Sequence, residues 1–269
     1  MKNITKRNNL QVVGSGTRPM IMVHGFGCDQ NMWRYVVPAF QEKYKIVLLD
    51  MVGTGMSDLS AFDVVKYKTL HGYAEDIVEI CEFLNLKETI LVGHSVSAMI
   101  CTLAHIKRPD LFSGMVMVGP SPRYINDGEY IGGFEKEDIE ELIEMIDSNY
   151  LGWSAATAPA IMGNADVPVL GEELTNSFCQ TDPKIAKHFA MATFYSDNRS
   201  DIPKINIPTL ILQCSEDIIA PETVGLYLQK HIKNNKFVHL KATGHCPHMS
   251  APAETIAAME EWLEETVLE

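Results

Sequence analysis

The sequence predicts an α/β fold built on a mostly parallel, doubly wound sheet that carries a helical insertion. Short apolar segments alternate along the chain with segments of helical periodicity, as in sheets with helices packed on both faces. Between about residues 121 and 200 this alternation stops, because the stretch has helical character and no strand pattern. We therefore expect one domain over residues 1–269, with a helical segment inserted over one edge of the sheet.

Six short apolar runs, each ending in turn residues, are the predicted strands. Most of them are continuously apolar rather than alternating, which is typical of strands that are covered on both faces. In chain order they are MIMVHG (20–25), KIVLLD (45–50), ETILVGHS (88–95), GMVMVGP (114–120), PTLILQCSED (208–217) and KFVHLKATGH (236–245). The segment NNLQVVGSG (8–16) precedes them and favours an antiparallel hairpin at the sheet edge.

Helical patterns lie between these strands and at the end of the chain. Ile77, Ile80 and Leu84 recur at i, i+3 and i+7, so they share one face of a helix. Near the C-terminus we expect Ser250 to cap the start of a last helix, with Pro252 just inside it.

The insertion contains three further helical runs. They are EKEDIEELIEMIDSNYLGW (135–153), VLGEELTNSFC (169–179) and PKIAKHFAMATFYS (183–196). Ligands of open α/β sheets bind beyond the carboxyl ends of the strands. We therefore expect the insertion to form the roof of a ligand site.

Composition argues against nucleic-acid and membrane partners. The formal net charge is −13 at pH 7, and a chain this acidic repels phosphate backbones and anionic lipid surfaces. No apolar run reaches about 18 residues, so no transmembrane helix is expected. The N-terminus lacks the apolar core of a signal peptide.

The cysteine pattern favours a cytoplasmic protein. The six cysteines are scattered without the spacing of a disulfide framework, and we expect them to be free thiols in a reducing compartment. They are Cys28, Cys81, Cys101, Cys179, Cys214 and Cys246.

The segment VGHSVSAMI (92–100) contains the candidate nucleophile. A predicted strand runs to Gly93, the turn holds His94 and Ser95, and a helix rich in small residues follows. This is the context of the G-x-S-x-G nucleophile elbow, although Ser97 replaces the second glycine. We expect the Ser97 hydroxyl to satisfy a backbone group in the first helical turn. Taken alone the motif is weak, because a serine that merely caps a helix would leave the same pattern.

Two further predicted strands end in residues that complete a catalytic triad. Asp217 follows one strand and His245 follows the last, in the Ser–Asp–His order typical of this architecture. Glu216 and His248 are the competing acid and histidine. We predict Ser95 as nucleophile, His245 as base and Asp217 as the acid that orients it.

The oxyanion of such a reaction needs backbone donors. The amide after the nucleophile, Val96, is one, and the loop after the first parallel strand supplies the other. Glycines flank Phe26 in that loop, so we expect Phe26 to be the second donor. The mechanism requires neither a metal nor an organic cofactor.

Two other motifs fail to predict a site. Gly53 and Gly55 begin a pattern like that of a dinucleotide-binding loop, but Asp58 replaces its third glycine. The segment HCPH (245–248) has too few ligands for a zinc site, which needs three or four, so no metal is expected.

Aromatic residues occur throughout the insertion, and we expect most of them to form its own core. They are Phe134, Trp153, Phe178, Phe189, Phe194 and Tyr195. A few of them, with Tyr124 and either Ile218 or Ile219, are expected to line an apolar pocket.

Several separate motifs resemble those of the α/β-hydrolase superfamily along the whole chain. They are HGFGCDQNMW, DMVGTGMSD, GHSVSAMI, PSPRYINDGEYIGGFE, FYSD and GHCPHMSAP. Within the superfamily they are similar to the RsbQ-type subfamily, which includes bacterial stress-regulatory hydrolases and the plant strigolactone and karrikin receptor hydrolases. Those plant proteins resemble this chain even in GHSVSAM, so Ser97 is no departure within the subfamily.

The resemblance implies the α/β-hydrolase fold with a V-shaped cap of four helices at about 121–197, over a mainly apolar pocket. The matching pocket positions are Phe26, His94, Tyr124, Phe134, Trp153, Phe194 and Ile219. Position 157 tends to be aromatic in the plant relatives and is Thr157 here, beside three alanines. This difference implies a roomier or differently shaped cavity.

The resemblance also implies two candidate functions. The first is a serine esterase that cleaves a small apolar ester or lactone. The second is a hydrolase-derived ligand receptor with slow turnover, which signals in a stress response to a serine phosphatase that carries a PAS domain.

Overall fold

The computed structural model describes residues 3–267, with the side chain of Val267 excepted, so residues 1, 2, 268 and 269 of the predicted domain lie outside the described residues. Within this range a seven-stranded sheet has the order β1-β3-β2-β4-β5-β6-β7. The strands are β1 Gln11–Val13, β2 Arg18–Val23, β3 Tyr44–Leu48, β4 Thr89–His94, β5 Phe112–Val118, β6 Thr209–Glu216 and β7 Asn235–Thr243. All neighbouring pairs are parallel except β1 with β3, so the predicted mostly parallel sheet is confirmed.

Helices connect the strands and cover the sheet. They are α1 Ile4–Arg7, α2 Val37–Phe40, α3 Leu70–Phe83, α4 Val96–Lys107, α5 Lys136–Met162, α6 Pro168–Cys179, α7 Pro183–Phe194, α8 Glu222–His231, α9 Pro247–Ser250 and α10 Pro252–Val267. Short 3₁₀ turns occupy Gln30–Trp33, Leu59–Ala61, Lys66–Lys68, Pro109–Leu111 and Ile202–Lys204. No helix between residues 3 and 267 combines the length and the apolar character needed to cross a membrane.

The two faces of the sheet bury two separate apolar cores. Successive strand residues enter opposite cores, as Met20 and Ile21 do in β2. One core includes residues of α3, α4 and α8, and the other includes Trp262 and Leu263 of α10. Because side chains on both faces are buried, continuous apolar runs are needed, and β4 is buried at every position. The doubly wound arrangement that these runs predict is therefore confirmed.

The segment 8–16 does contribute an antiparallel strand at the sheet edge, as predicted, but the predicted hairpin is wrong. The β1 strand pairs antiparallel with β3, with Val12 opposite Val47, and not with the strand that follows it in sequence. A hairpin would require a free edge on β2, but β3 and β4 occupy both edges of that strand. The chain after β1 instead crosses the end of α2, where Ser15 N donates to Gln41 O at 2.8 Å.

The predicted N-cap at Ser250 is also wrong. Ser250 is the last residue of α9, and its backbone N–H donates to Cys246 O at 3.0 Å. A residue already inside a helical turn cannot adopt the extended backbone of an N-cap. The last helix begins two residues later, at Pro252.

The stretch between Val118 and Thr209 contributes no strand to the sheet and holds α5, α6 and α7. The first of these helices is broken at Asn149, where φ is −155° and ψ is 75°. Four helical segments therefore follow one another here. Aromatic contacts between these segments and the loop after β2 place them over the carboxyl ends of the strands; Trp153 and Phe178 both contact Phe26.

Candidate active site

The loops that follow β2, β4, β6 and β7 meet at one edge of the sheet. Parallel strands end at the same edge, so residues far apart in sequence become neighbours there. This edge brings together Ser95 after β4, Asp217 after β6 and His245 after β7.

Ser95 sits at a tight turn between β4 and α4. Its backbone has a φ of +58° and a ψ of −127°, a conformation that non-glycine residues rarely adopt and that costs about 1–3 kcal/mol. The turn leaves little room, since a Cβ at Gly93 would lie 2.5 Å from Ser97 O. Ser95 N donates to Val118 O of β5 at 2.8 Å, which anchors the turn to the sheet.

A chain of two hydrogen bonds joins Ser95, His245 and Asp217. Ser95 Oγ lies 2.7 Å from His245 Nε2, and His245 Nδ1 lies 2.7 Å from Asp217 Oδ2. Because the carboxylate only accepts, Nδ1 carries the proton and Nε2 accepts from the serine hydroxyl. The other carboxylate oxygen of Asp217 accepts from the amides of Ile219 at 2.8 Å and Ala220 at 3.0 Å. His245 is therefore held in the orientation and tautomer that a base accepting the Ser95 proton would need.

The competing acid and histidine lie outside this chain. Glu216 is exposed, although it adjoins Asp217 in sequence. His248 is fully buried, and neither of its ring nitrogens has a hydrogen-bond partner among the described residues. Burial lowers its pKa to about 3, so it stays neutral and packs against Trp33, with the ring centroids 4.7 Å apart.

Two backbone amides are available beside Ser95. Val96 is the first residue of α4, so its N–H has no acceptor within the helix and lies at the positive end of the helix dipole. The N–H of Phe26 also has no acceptor in the described range 3–267. Gly27, whose φ is +70°, turns the chain after Phe26, and a Cβ there would lie 2.3 Å from the Phe178 ring.

A cavity of about 230 Å³ opens above Ser95. All nine residues predicted for a pocket line it: Phe26, His94, Tyr124, Phe134, Trp153, Thr157, Phe194, Ile218 and Ile219. Ser95 and His245 line it too, whereas Phe189 and Tyr195 do not. Ile219 is buried, but Ile218 is 58% exposed and therefore marks the mouth of the cavity.

Sequence reasoning missed several lining residues. They are Cys28, Leu142, Ile161, Leu174, Thr193 and Cys246. Phe178, one of the aromatic residues of which a few are expected to line a pocket, lines the cavity as well. The helical spacing could have indicated Ile161 and Leu174. Ile161 lies four residues after Thr157 on the same face of α5, and Leu174 lies four residues before Phe178 in α6.

The cavity wall is mainly apolar and carries few polar atoms. The hydroxyls of Tyr124 and Thr193 are buried without a hydrogen-bond partner in the described part of the chain. Cys28 and Cys246 are free cysteines, and burial raises the pKa of both thiols, so neither is a ready nucleophile. The strongest candidate nucleophile facing the cavity is Ser95.

The glycine motif excluded above has another role. Gly55 has a φ of +50°, and its loop wraps around Asp50, whose carboxylate accepts from Met56 N at 2.9 Å. Among residues 3–267, no group of three or more His, Cys, Asp or Glu side chains is arranged to hold a metal ion.

Comparisons with known proteins agree with this architecture. The model of the alpha/beta hydrolase family matches residues 20–258. The chain is 41% identical over 251 residues to a probable esterase from Oryza sativa subsp. japonica, covering 93% of each sequence. It is 38% identical over 257 residues to a karrikin insensitive 2 receptor from Petunia hybrida, covering 95% of each. The structure of a hydrolase from Oleispira antarctica superposes with a TM-score of 0.95 at 40% identity, over 98% of this chain and 97% of that one. This chain belongs to the alpha/beta hydrolase family.

Proposed function

We propose that this protein is a serine hydrolase that cleaves a small apolar ester or lactone. The observation that carries the proposal is the chain of 2.7 Å hydrogen bonds from Ser95 through His245 to Asp217, at the floor of the cavity. The esterase and hydrolase names of its relatives support the same reaction class.

The proposed reaction transfers an acyl group to water in two steps. Ser95 Oγ attacks the carbonyl carbon while His245 Nε2 takes the hydroxyl proton, and Asp217 stabilises the imidazolium. The amides of Val96 and Phe26 hold the oxyanion. The carbonyl–alkoxy bond then breaks, and His245 protonates the leaving oxygen. Water, deprotonated by His245, then attacks the acyl-enzyme. The bond between the acyl carbon and Ser95 Oγ breaks, His245 returns the proton to Oγ, and the acid is released.

The cavity supports a small apolar substrate. Its volume of about 230 Å³ lies below the range of roughly 300–1,000 Å³ common for drug-sized ligands. We propose that residues 121–197 form a cap that closes this space and excludes water from the acyl-enzyme. Thr157 lines the cavity, where the resemblance described above implies an aromatic residue in the plant proteins, and we propose that the substrate differs in shape from theirs.

Replacement of the nucleophile tests the proposal. Ser95→Ala is expected to lower the turnover of a short-chain p-nitrophenyl ester by at least about 10³-fold, because the triad loses its attacking atom. A fluorophosphonate probe followed by mass spectrometry should modify Ser95 in the unaltered protein and leave Ser95→Ala unmodified.

Ser121→Ala is a matched control, because its hydroxyl donates to Arg123 O at 2.9 Å and lies outside the triad. It should retain ester turnover. Unchanged turnover by folded Ser95→Ala would refute the proposed nucleophile, and so would a probe adduct on another residue.

A receptor role is the second candidate. The 38% identity to a protein named as a receptor favours it, because the likeness spans 95% of both chains. In this role the same triad turns over slowly, and a protein partner binds the rearranged cap. We propose that this partner is a PAS-domain serine phosphatase of a stress response. Single-turnover kinetics with a ligand-dependent shift in melting temperature would favour the receptor, whereas fast multiple turnover would favour a metabolic esterase.

A further inference from the structure

His94, the residue before the candidate nucleophile, is buried and makes one hydrogen bond. It is 2% exposed, and its Nε2 lies 2.8 Å from the backbone carbonyl oxygen of His245. Since a carbonyl only accepts, Nε2 carries the proton and donates. Burial, with His248 and His245 nearby, lowers the pKa of His94 well below its usual value, so the ring is neutral.

The opposite edge of the same ring faces the loop that holds Phe26. The Nδ1 atom of His94 has no hydrogen-bond partner in the range 3–267. It lies so close to Gly25 that a Cβ added to that glycine would be 2.5 Å from Nδ1. Gly25 immediately precedes Phe26, the proposed oxyanion donor. One imidazole therefore touches both the loop of the base and the loop of the oxyanion hole.

We propose that His94 is a positioning residue, which sets the distance between the His245 loop and the Phe26 loop around Ser95. This inference rests on the proposed hydrolase function. His94 also borders the cavity, but its only hydrogen bond among described residues goes to the main chain of His245 and not to another side chain. Its role is therefore distinct from that of a proton-transferring group.

The effect on turnover follows from the geometry. Proton transfer and oxyanion binding require donor and acceptor atoms at fixed separations, and a displacement of about 1 Å can cost about 10²-fold in rate. The substrate is held mainly by the apolar cavity wall, which does not depend on this bond. Loss of the bond is therefore expected to lower kcat much more than it raises KM.

The experiment compares substitutions that retain or remove the donor. His94→Gln places an amide N–H near the position of Nε2, whereas His94→Phe keeps the ring volume without a donor. His248→Phe is the matched control, because His248 is a buried neighbour of His94, with ring centroids 4.5 Å apart, but has no hydrogen bond in the described structure. For each variant, kcat and KM for a p-nitrophenyl ester, the fluorophosphonate labelling rate and the melting temperature are measured.

We expect His94→Phe to lose about 10²-fold in kcat and in labelling rate, with KM changed less than about 3-fold. His94→Gln should recover at least 10-fold of that loss, and His248→Phe should stay within about 3-fold of the unaltered protein. If His94→Phe does not fold, His94→Asn serves instead, because its shorter amide cannot reach the His245 carbonyl, and it should show the same loss.

Equal losses in the Gln and Phe variants would overturn the inference, as would a His248→Phe loss as large as that of His94→Phe. Near-normal kcat in folded His94→Phe would overturn it as well. Failure of the proposed function gives a different result: the unaltered protein would then show neither ester turnover nor a Ser95 adduct. Activity that depends on Ser95 but not on His94 would refute this inference alone.

Discussion

At the scale of single residues, Ser97 explains why the candidate elbow can depart from G-x-S-x-G. We expected its hydroxyl to satisfy a group in the first turn of α4, and this is wrong. Ser97 Oγ instead donates to the backbone carbonyl of His24, at the end of β2. A serine here joins the elbow to the neighbouring strand end, a link that glycine cannot make. The replacement is therefore compatible with a strained turn at Ser95.

We predict that Ser97→Ala lowers the free energy of unfolding by about 1–3 kcal/mol, because a buried carbonyl loses its hydroxyl donor. Urea denaturation would measure the change. Ser113→Ala is a suitable control, since its hydroxyl also donates to a backbone carbonyl, that of Glu88, but at an exposed site, and it should cost much less. Equal stability of Ser97→Ala and the unaltered protein would contradict the role given to this bond.

At the scale of elements, helix α6 is attached to the loop that carries Phe26. Ser177 Oγ donates to Gly27 O at 2.9 Å, and Arg34 pairs with Glu173 at the same helix. The Phe178 ring covers Gly27 and contacts the ring of Phe26, with centroids 5.8 Å apart. A displacement of α6 would therefore be transmitted to the amide that we propose as an oxyanion donor. This attachment links the two candidate functions, because the position of α6 and the proposed reactivity of Ser95 then change together.

We predict that Ser177→Ala lowers kcat for a test ester by about 3- to 10-fold, since one hydrogen bond of about 1 kcal/mol no longer holds the loop. Steady-state kinetics would measure it, and Ser177→Thr should restore the rate because it keeps the hydroxyl. Ser148→Ala in α5 is the control, because its hydroxyl donates only within its own helix, to Met145 O. A loss of the same size in Ser148→Ala would show that the effect is not specific to the Phe26 loop.

At the scale of the whole molecule, buried histidines make stability depend on pH. Burial lowers the pKa of His24, His94, His105 and His248 below the ordinary value. In the unfolded chain they titrate near about 6.5, so below that pH the unfolded state binds protons that the folded state does not. For His248 the stabilisation is complete above about pH 6.5 and is lost progressively as the pH falls towards its folded pKa of about 3. The protein should therefore lose stability in mild acid.

The free energy of unfolding should fall as the pH drops below 6. We predict that His248→Phe reduces this slope by about 1.4 kcal/mol per pH unit, because one proton fewer is bound on unfolding. Denaturation curves at a series of pH values would give both slopes, and the shared titration of carboxylates cancels in their difference. Parallel curves for His248→Phe and the unaltered protein would rule out this contribution.

Much of the fold could be predicted because it depends on local patterns. A strand covered on both faces must be apolar at nearly every position, so strands such as β4 and β5 could be recognised from their continuous apolar runs. The edge strand β7 is only partly buried, and its sequence alternates between polar and apolar residues. The two wrong predictions of the fold have different causes, a distant strand partner at Val12 and an unrecognised short helix before Ser250. Val12 pairs across to Val47 rather than forming a hairpin, and Ser250 lies inside a turn begun by Pro247.

The sequence by itself determined the parallel sheet, the family and the placement of Ser95, Asp217 and His245 at strand ends, because strand direction brings those ends to one edge. The tertiary structure supplied the contacts that distinguish neighbouring candidates, between which the sequence could only predict a choice. Asp217 rather than the adjacent Glu216 reaches His245, since successive residues at a strand end point in different directions. Likewise, the cavity wall joins residues of α5 and α6 to the loops after β2 and β6. Such contacts depend on how distant segments pack against one another, which no local pattern specifies.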